Sequence, residues 1–292
     1  MTQTRLYFET TEVKAKELIL LLEPEFEEDG YPVAIFETHL EKSLWTFSLY
    51  APDEEIEPCK KRIQNILKAN NFEATILEEA LEDDGWIEKT LSELAPVRAG
   101  RFVVHGSHDK HIVKHNEFGL EINAGLAFGT GHHGTTAGCL KMIDQELKAN
   151  NFRNALDLGA GTGVLGIAVA KAKRIPVLAS DIDPVSTIVC DQNAKINGVK
   201  GFVKSITATG FNNPEFINYV PFDLIIANIL ARPLEGLALD LSLHLSRNAT
   251  VILSGLLPHQ KARILAAYRI QGLRLKKAHI QDGWLTLVLK NG

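Results

Sequence analysis

The run Asp157-Leu-Gly-Ala-Gly-Thr-Gly163 holds the residue types and spacing most suited to chemistry in this chain. An apolar stretch precedes it and a second, free of proline, follows, so the pattern predicts strand, tight turn and helix. Gly159, Gly161 and Gly163 let the backbone pass close to a ligand, because no Cβ stands in the way. The helix behind them points its unpaired N–H groups and the positive end of its dipole at whatever sits over the turn. Gly161, Gly163 and Gly166 also spell G-x-G-x-x-G, the dinucleotide fingerprint, which alone is a weak signal. Asp157 weighs against a pyrophosphate there. A carboxylate beside the turn suits a ligand with an ammonium group, which S-adenosylmethionine has and NAD lacks. A plain turn with helix-packing glycines is the bland alternative, set against the stability that three alternating glycines cost.

Three further places would converge on that turn. The glycine-dense stretch Ala127-Phe-Gly-Thr-Gly-His-His-Gly-Thr-Thr136 runs into a helix expected over 137–147. The hydroxyls of Thr135 and Thr136 either cap that helix or belong to a flexible lid. In the lid reading, which the glycine density favours, they join backbone N–H groups in holding a ligand carboxylate, and Phe128 supplies an apolar wall. Asp181 ends a second strand, 22 positions after Gly159, where an acidic residue accepts ribose hydroxyls in nucleotide-binding units. Asp183-Pro184 reads as a helix cap. A nearly all-apolar strand, buried on both faces, ends at Asn228, whose side-chain carbonyl can hold a reacting amine. A strand-end Asn is also a common turn former. No carboxylate suited to reading adenine follows the strand expected over 202–207. His105, His108, His111 and His115 match no metal-ligand template and read as a polar surface loop, so no metal is expected.

Two blocks of elements must position these groups. The segments 4–9, 13–22, 33–36, 44–50, 56–69 and 72–77 read β-α-β-β-α-β, the ferredoxin-like order, with the first helix ending before Pro24. A connecting helix over 83–94 stops at Pro96. Short strands at 101–104 and 120–123 follow. Strand–helix alternation then closes on a hairpin of 273–278 with 284–289. The expected fold is α/β: a Rossmann-like seven-stranded methyltransferase sheet, preceded by a small ferredoxin-like α+β domain. The expected boundaries are 1–82, a linker helix over 83–100, and 101–292.

Composition narrows the class. The chain has 292 residues, 45% hydrophobic and 23% charged, which suits a soluble protein of two domains. No apolar run reaches membrane-span length, and the amino terminus has no signal-peptide core. Cys59, Cys139 and Cys190 are far apart and read as reduced thiols, so a cytoplasmic location is expected. Residues 1–82 hold 18 Asp/Glu against 8 Lys/Arg, a charge of −10 within a chain total of −5, which leaves +5 for the remainder. Such an acidic front domain disfavours direct nucleic-acid binding and suits a basic protein partner. A solvated helix surface without any partner explains the same count.

Taken together, the chain resembles the ribosomal protein L-eleven methyltransferases (PrmA type). The resemblance rests on the Gly-Thr-Gly-His-His-Gly-Thr-Thr136 loop, on Asp157–Gly163, on Asp181-Ile-Asp-Pro184 and on Asn228-Ile-Leu-Ala-Arg-Pro-Leu234. It implies S-adenosyl-L-methionine as cofactor, with contacts at Thr136, Gly159, Asp181 and Asn228 and with Phe128 nearby; Asp157 and Gly161 join them from the reading of the turn. Asn228 is the expected catalytic residue. The resemblance further implies a basic ribosomal protein as substrate, trimethylated on lysines and its N-terminal amine, and recognised by the front domain. A monomer is expected. Gly134 departs from the Pro or Glu of many members and is expected to make the loop more mobile; Arg232 stands where Gly is frequent. Three other readings remain open from residues alone: a methyltransferase of small molecules or nucleic acid, an NAD-dependent dehydrogenase, and a non-enzymatic binding module.

Overall fold

Leu6 and Phe8 alternate with polar neighbours along β1 (Gln3–Thr11), the pattern of a strand with one face on a core. The computed structural model describes residues 3–27, 31, 33–39, 44–81, 96–123 and 134–292, in two compact units, Met1–Trp86 and Ile87–Gly292. In the first unit β1 is followed by α1 (Glu12–Glu27), β2 (Val33–His39), β3 (Leu44–Pro52), α2 (Ile56–Ala69) and β4 (Leu77–Leu81). The strands form an antiparallel sheet in the order β2-β3-β1-β4, which is the ferredoxin-like arrangement. Leu18, Leu22 and Phe26 of α1 and Cys59, Ile63 and Leu67 of α2 meet Leu6, Phe8, Phe47 and Leu49 of the sheet in one core.

Two expectations shift here. α1 continues past Pro24 instead of stopping before it; the complete burial of Phe26 beyond the proline offsets the hydrogen bond that proline removes. The last strand lies at Leu77–Leu81 and not at 72–77. Its Leu-Glu-Glu-Ala-Leu sequence has little β character, and cross-strand partners place it: it pairs with β1, and Arg5 forms a 2.9 Å ion pair with Glu79.

The second unit begins with a small sheet of β5 (Val97–Ala99), β6 (Phe102–His105) and β7 (Phe118–Glu121). The connecting helix expected over 83–94 lies outside the described residues. Then come α3 (Gly134–Ala149), β8 (Ala155–Leu158), α4 (Val164–Lys173), β9 (Val177–Asp181), α5 (Pro184–Ile196), β10 (Val203–Thr207) and β11 (Phe222–Asn228). Two short helices that sequence patterning missed, α6 (Ala231–Gly236) and α7 (Ala238–Leu243), precede β12 (Leu245–Leu256), α8 (Lys261–Ile270), β13 (Leu273–Gln281) and β14 (Trp284–Asn291).

The seven strands run in the order β10-β9-β8-β11-β12-β14-β13. The first five are parallel and β14 is antiparallel to both its neighbours. Apolar side chains bury both faces. Leu224, Ile226, Ile252 and Val288 meet α3 and α4 on one face, and Leu156, Ile225, Leu253 and Leu287 meet Leu234, Ile264 and Tyr268 on the other. The winding reverses between β8 and β11. In open parallel sheets the carboxyl edge at such a reversal is where ligands bind. The amino edge is clamped instead. The Asp223 carboxylate accepts the backbone N–H of Arg153 at 2.9 Å, its guanidinium at 2.9 and 3.0 Å, and the Ser246 hydroxyl at 2.7 Å, tying β8, β11 and β12 together. Among the described residues no helix is long and apolar enough to cross a membrane.

Candidate functional site

Gly159, Gly161 and Gly163 adopt φ of +73°, +52° and +81° between β8 and α4. This left-handed backbone strains any residue with a Cβ. Space forbids one as well: a Cβ on Gly159 would lie 2.3 Å from Ile229 Cγ2, and one on Gly163 2.4 Å from Cys190 Sγ. The turn therefore presents bare backbone at the carboxyl edge, directly before the N-terminus of α4.

Asp181, at the end of β9, braces that turn. Its Oδ2 accepts the N–H of Gly161 at 2.7 Å and its Oδ1 accepts the N–H of Asp183 at 3.0 Å. Asp183 is the N-cap of α5, accepting the N–H groups of Val185 and Ser186 at 2.9 and 3.0 Å, with Pro184 following, as its sequence context indicates.

Asp157 sits one layer beneath the turn, at 1% exposure. Its Oδ2 accepts the Gly166 N–H at 2.7 Å, one of the unpaired donors in the first turn of α4. Its Oδ1 is buried without a hydrogen-bond partner among the described residues. Burial, with the Asp181 carboxylate adding to it, pushes the Asp157 carboxyl up to about 7. Burial likewise pushes the Cys139 and Cys190 thiols up to about 12, which leaves both inert.

Asn228 ends β11, whose Ala227 pairs with Leu158 of β8. Strand pairing thus sets Asn228 beside the turn, across the point of reversal. Its Nδ2 lies 3.4 Å from both the Thr135 and the Thr136 hydroxyl oxygens, at the long end of hydrogen bonding. Its side-chain oxygen accepts no hydrogen bond from the described residues. Thr135 and Thr136 lie inside the first turn of α3, which begins at Gly134, and both are buried. The helix starts earlier than the sequence suggests, so the threonines are not its caps; their hydroxyls face the strand end. Gly134 is buried too. A Cβ there would meet the Gln281 carbonyl oxygen at 2.7 Å, so this glycine serves close packing; the loop whose mobility it was expected to raise lies mostly outside the described residues. Phe128 and the remainder of the 127–133 loop lie outside the described residues.

Sequence reasoning missed Asn193, on α5, and Asn197, one helical turn further on at its C-cap. The Asn193 side chain, fully buried, donates to the carbonyls of Thr162 and Asn123 at 2.9 and 3.1 Å and accepts the Asn123 N–H at 3.0 Å. Asn197 makes the same paired contact with the backbone of Glu121, at 3.0 and 2.7 Å. Together they pin the chain leaving β7 to the glycine turn. Two asparagines at helical spacing, one inside the helix, where Asn is unfavourable, and one at its end, were the available signal. Of the four histidines, His105 is buried with its Nδ1 2.7 Å from the Gly106 carbonyl, and the others are exposed. Among the described residues no group of three or more side chains is arranged to hold a metal.

A hollow of about 830 Å³ opens at the opposite, amino edge, lined by Arg153, Asn154, Lys200 and Phe202 among others. Its principal polar groups are already engaged: Arg153 with Asp223, Lys200 with Asp191, and Asn154 with the Tyr219 carbonyl. The carboxyl edge differs in kind. It offers bare backbone, two helix N-termini, two carboxylates and an orphaned buried oxygen. That set fits a ligand bearing positive charge together with a carboxylate and a ribose. It disfavours a pyrophosphate, which would sit over Asp157.

Comparison with known proteins gives the family. Residues 11–292 match the family model described as Ribosomal protein L11 methyltransferase (PrmA). The chain is 45% identical over 291 residues to the ribosomal protein L11 methyltransferase of Mesorhizobium japonicum, covering 100% of both chains. It is 47% identical over 289 residues to that of Sinorhizobium fredii, covering 99% of each. The crystal structure of ribosomal protein L11 methylase from Lactobacillus delbrueckii subsp. bulgaricus superposes with a TM-score of 0.61 at 26% identity, over 68% of this chain and 99% of that one.

Proposed function

The chain belongs to the ribosomal protein L11 methyltransferase family of S-adenosyl-L-methionine-dependent enzymes, and we propose that it methylates amines of ribosomal protein L11, on lysine side chains and at the N-terminus, to the trimethylated state. One observation carries the reading. Asn228, Gly159 and Asp181 stand on adjacent strand ends at the reversal of the sheet, and Thr136 reaches Asn228 from α3.

When bound, S-adenosylmethionine supplies a methyl group on a positively charged sulfur, open to in-line attack by an amine. The bare turn at Gly159 and Gly161 admits the cofactor close to the backbone. Asp181, already fixed by the Gly161 and Asp183 N–H groups, has acceptor capacity left for ribose hydroxyls. Asp157 acts from beneath, its unpaired oxygen favouring a positive group above the turn. The N-terminus of α3 favours a carboxylate. Asn228 keeps its amide N–H toward the threonines, which leaves its oxygen to accept an N–H of the incoming amine and hold the lone pair toward the methyl. A lysine amine has an unperturbed pKa of about 10.4; desolvation in the closed crevice lowers it and frees the lone pair.

The acidic charge of residues 1–82 supports a role for the first unit in recognising a basic substrate. The same charge disfavours direct contact with nucleic acid. The buried free cysteines suit the cytoplasm, where the chain would act as a monomer.

Incubation with labelled methyl donor and a mixture of large-subunit ribosomal proteins tests the reading. Label on L11, with mass spectrometry counting three methyls per modified amine, supports it. Label on another protein, or none, overturns it.

A further inference from the structure

Three contacts seat the first turn of α3, the turn that carries Thr135 and Thr136 to Asn228. Gly134 packs against the Gln281 carbonyl. Gly138 packs against Thr286 so closely that a Cβ on it would lie 2.6 Å from the Thr286 hydroxyl oxygen. Between them, Ser254 Oγ stands 3.0 Å from Thr286 Oγ1 and 3.4 Å from the carbonyl oxygens of Thr135 and Leu285.

Ser254 is fully buried and Thr286 is 1% exposed. Ser254 pairs with Asn228 across β11 and β12, so its side chain shares the face that Asn228 occupies. In the next row of the same face Ile226, Ile252 and Val288 are apolar and all at 0% exposure. Buried hydroxyls in such a place are costly unless paired, and an apolar residue of similar shape would fill the space without that cost. Neither hydroxyl touches the reacting groups.

We propose that Ser254 and Thr286 are positioning residues: a buried hydroxyl pair that seats the first turn of α3 and so sets where Thr135 and Thr136 stand against Asn228. The inference rests on the role given above to Asn228. A chain of donors fits the distances, with Thr286 donating to Ser254 and Ser254 to the Thr135 carbonyl. The two glycines allow the approach; the two hydroxyls fix its register.

Thr286→Val removes the hydroxyl and keeps the shape, whereas Thr286→Ser keeps the hydroxyl. Three quantities are read in the full chain: amide hydrogen exchange of residues 134–139 without ligand, the Kd for S-adenosylmethionine by calorimetry, and kcat with KM on L11. For Thr286→Val, exchange of that turn rises about 10-fold and kcat falls roughly 10- to 100-fold while KM for L11 holds, the result of misplacing groups by a fraction of an ångström. Thr286→Ser recovers most of both. Unchanged exchange and unchanged kcat in Thr286→Val overturn the proposal, as does a lowered melting temperature with kinetics intact, which marks the hydroxyls as structural only. If Thr286→Val does not fold, Ser254→Ala is judged by the same three readings. Should the wild-type chain methylate nothing while exchange of the turn still responds to Thr286→Val, the seat stands and the enzymatic reading falls.

Discussion

Asn228 Nδ2 lies 3.4 Å from Thr136 Oγ1, although 92 residues of chain separate the two. A strand end and a helix start meet there, and neither residue type is informative without the other. If Asn228 steers the amine, Asn228→Ala binds S-adenosylmethionine within about 3-fold of wild type and loses at least roughly 100-fold in kcat, the signature of an interaction made chiefly in the transition state. Calorimetry and steady-state rates on L11 check it, and near-normal turnover in the variant removes Asn228 from the mechanism.

Asp181 braces the glycine turn and, in the function proposed above, also receives the ribose. Asp181→Ala removes both and is expected to weaken cofactor binding by more than about 10-fold, beyond the effect of an exposed carboxylate. Asp181→Asn retains one acceptor oxygen for the turn and falls between. Equal affinity across wild type and both variants, by calorimetry, would show that the ligand sits elsewhere.

Asp157 destabilises the folded chain at neutral pH. Burial lifts its carboxyl from 3.8 to about 7, so between those values the folded state holds a proton that the unfolded state has released, and stability falls as pH rises through that window. The penalty above pH 7 amounts to at most about 4 kcal/mol. Asp157→Asn therefore melts higher than wild type at pH 8, with the gap closing toward pH 4, and binds the positively charged cofactor less tightly. Thermal melts across pH 4–8, without ligand, measure the first part. A gap that does not vary with pH contradicts it.

Asp223 has the opposite sign. Hydrogen bonds from the Arg153 side chain hold its carboxyl down at about 2, so the clamp is intact above the ordinary carboxylate pKa and is lost as pH falls from about 4 through 2. The guanidinium is largely exposed, and screening trims the contribution to about 1 kcal/mol. Asp223→Asn should lower the melting temperature by a few degrees at pH 7, leave kcat untouched, and match wild type near pH 2. Denaturant titrations at the two pH values decide.

The four-stranded and seven-stranded sheets are readable from alternation and from the glycine turn, because strand–helix periodicity and Gly159, Gly161 and Gly163 leave local signals. So did Asp183-Pro184, a self-contained cap. What sequence could not supply depends on distant partners. The strand at Leu77–Leu81 is placed by β1 and by Arg5, and Pro24 is tolerated because Phe26 finds a core. In sequence a capping role for Thr135 and Thr136 stays open beside the favoured lid reading, because nothing local announces that α3 includes Gly134. The depth of Asp157 beneath the turn follows from packing against α4 and from its bond to the Gly166 N–H, which no local pattern announces.

The sheet assigns durability and reactivity to opposite rims. At the lower rim Asp223 gathers Arg153 and Ser246 into a brace remote from any reacting atom, whereas the upper rim tolerates an unsatisfied oxygen and crowded glycines. A protein engineer seeking a hardier catalyst can thus reinforce the base of the strands, for example around Arg153 and Asn154, and leave the crevice to its own compromises.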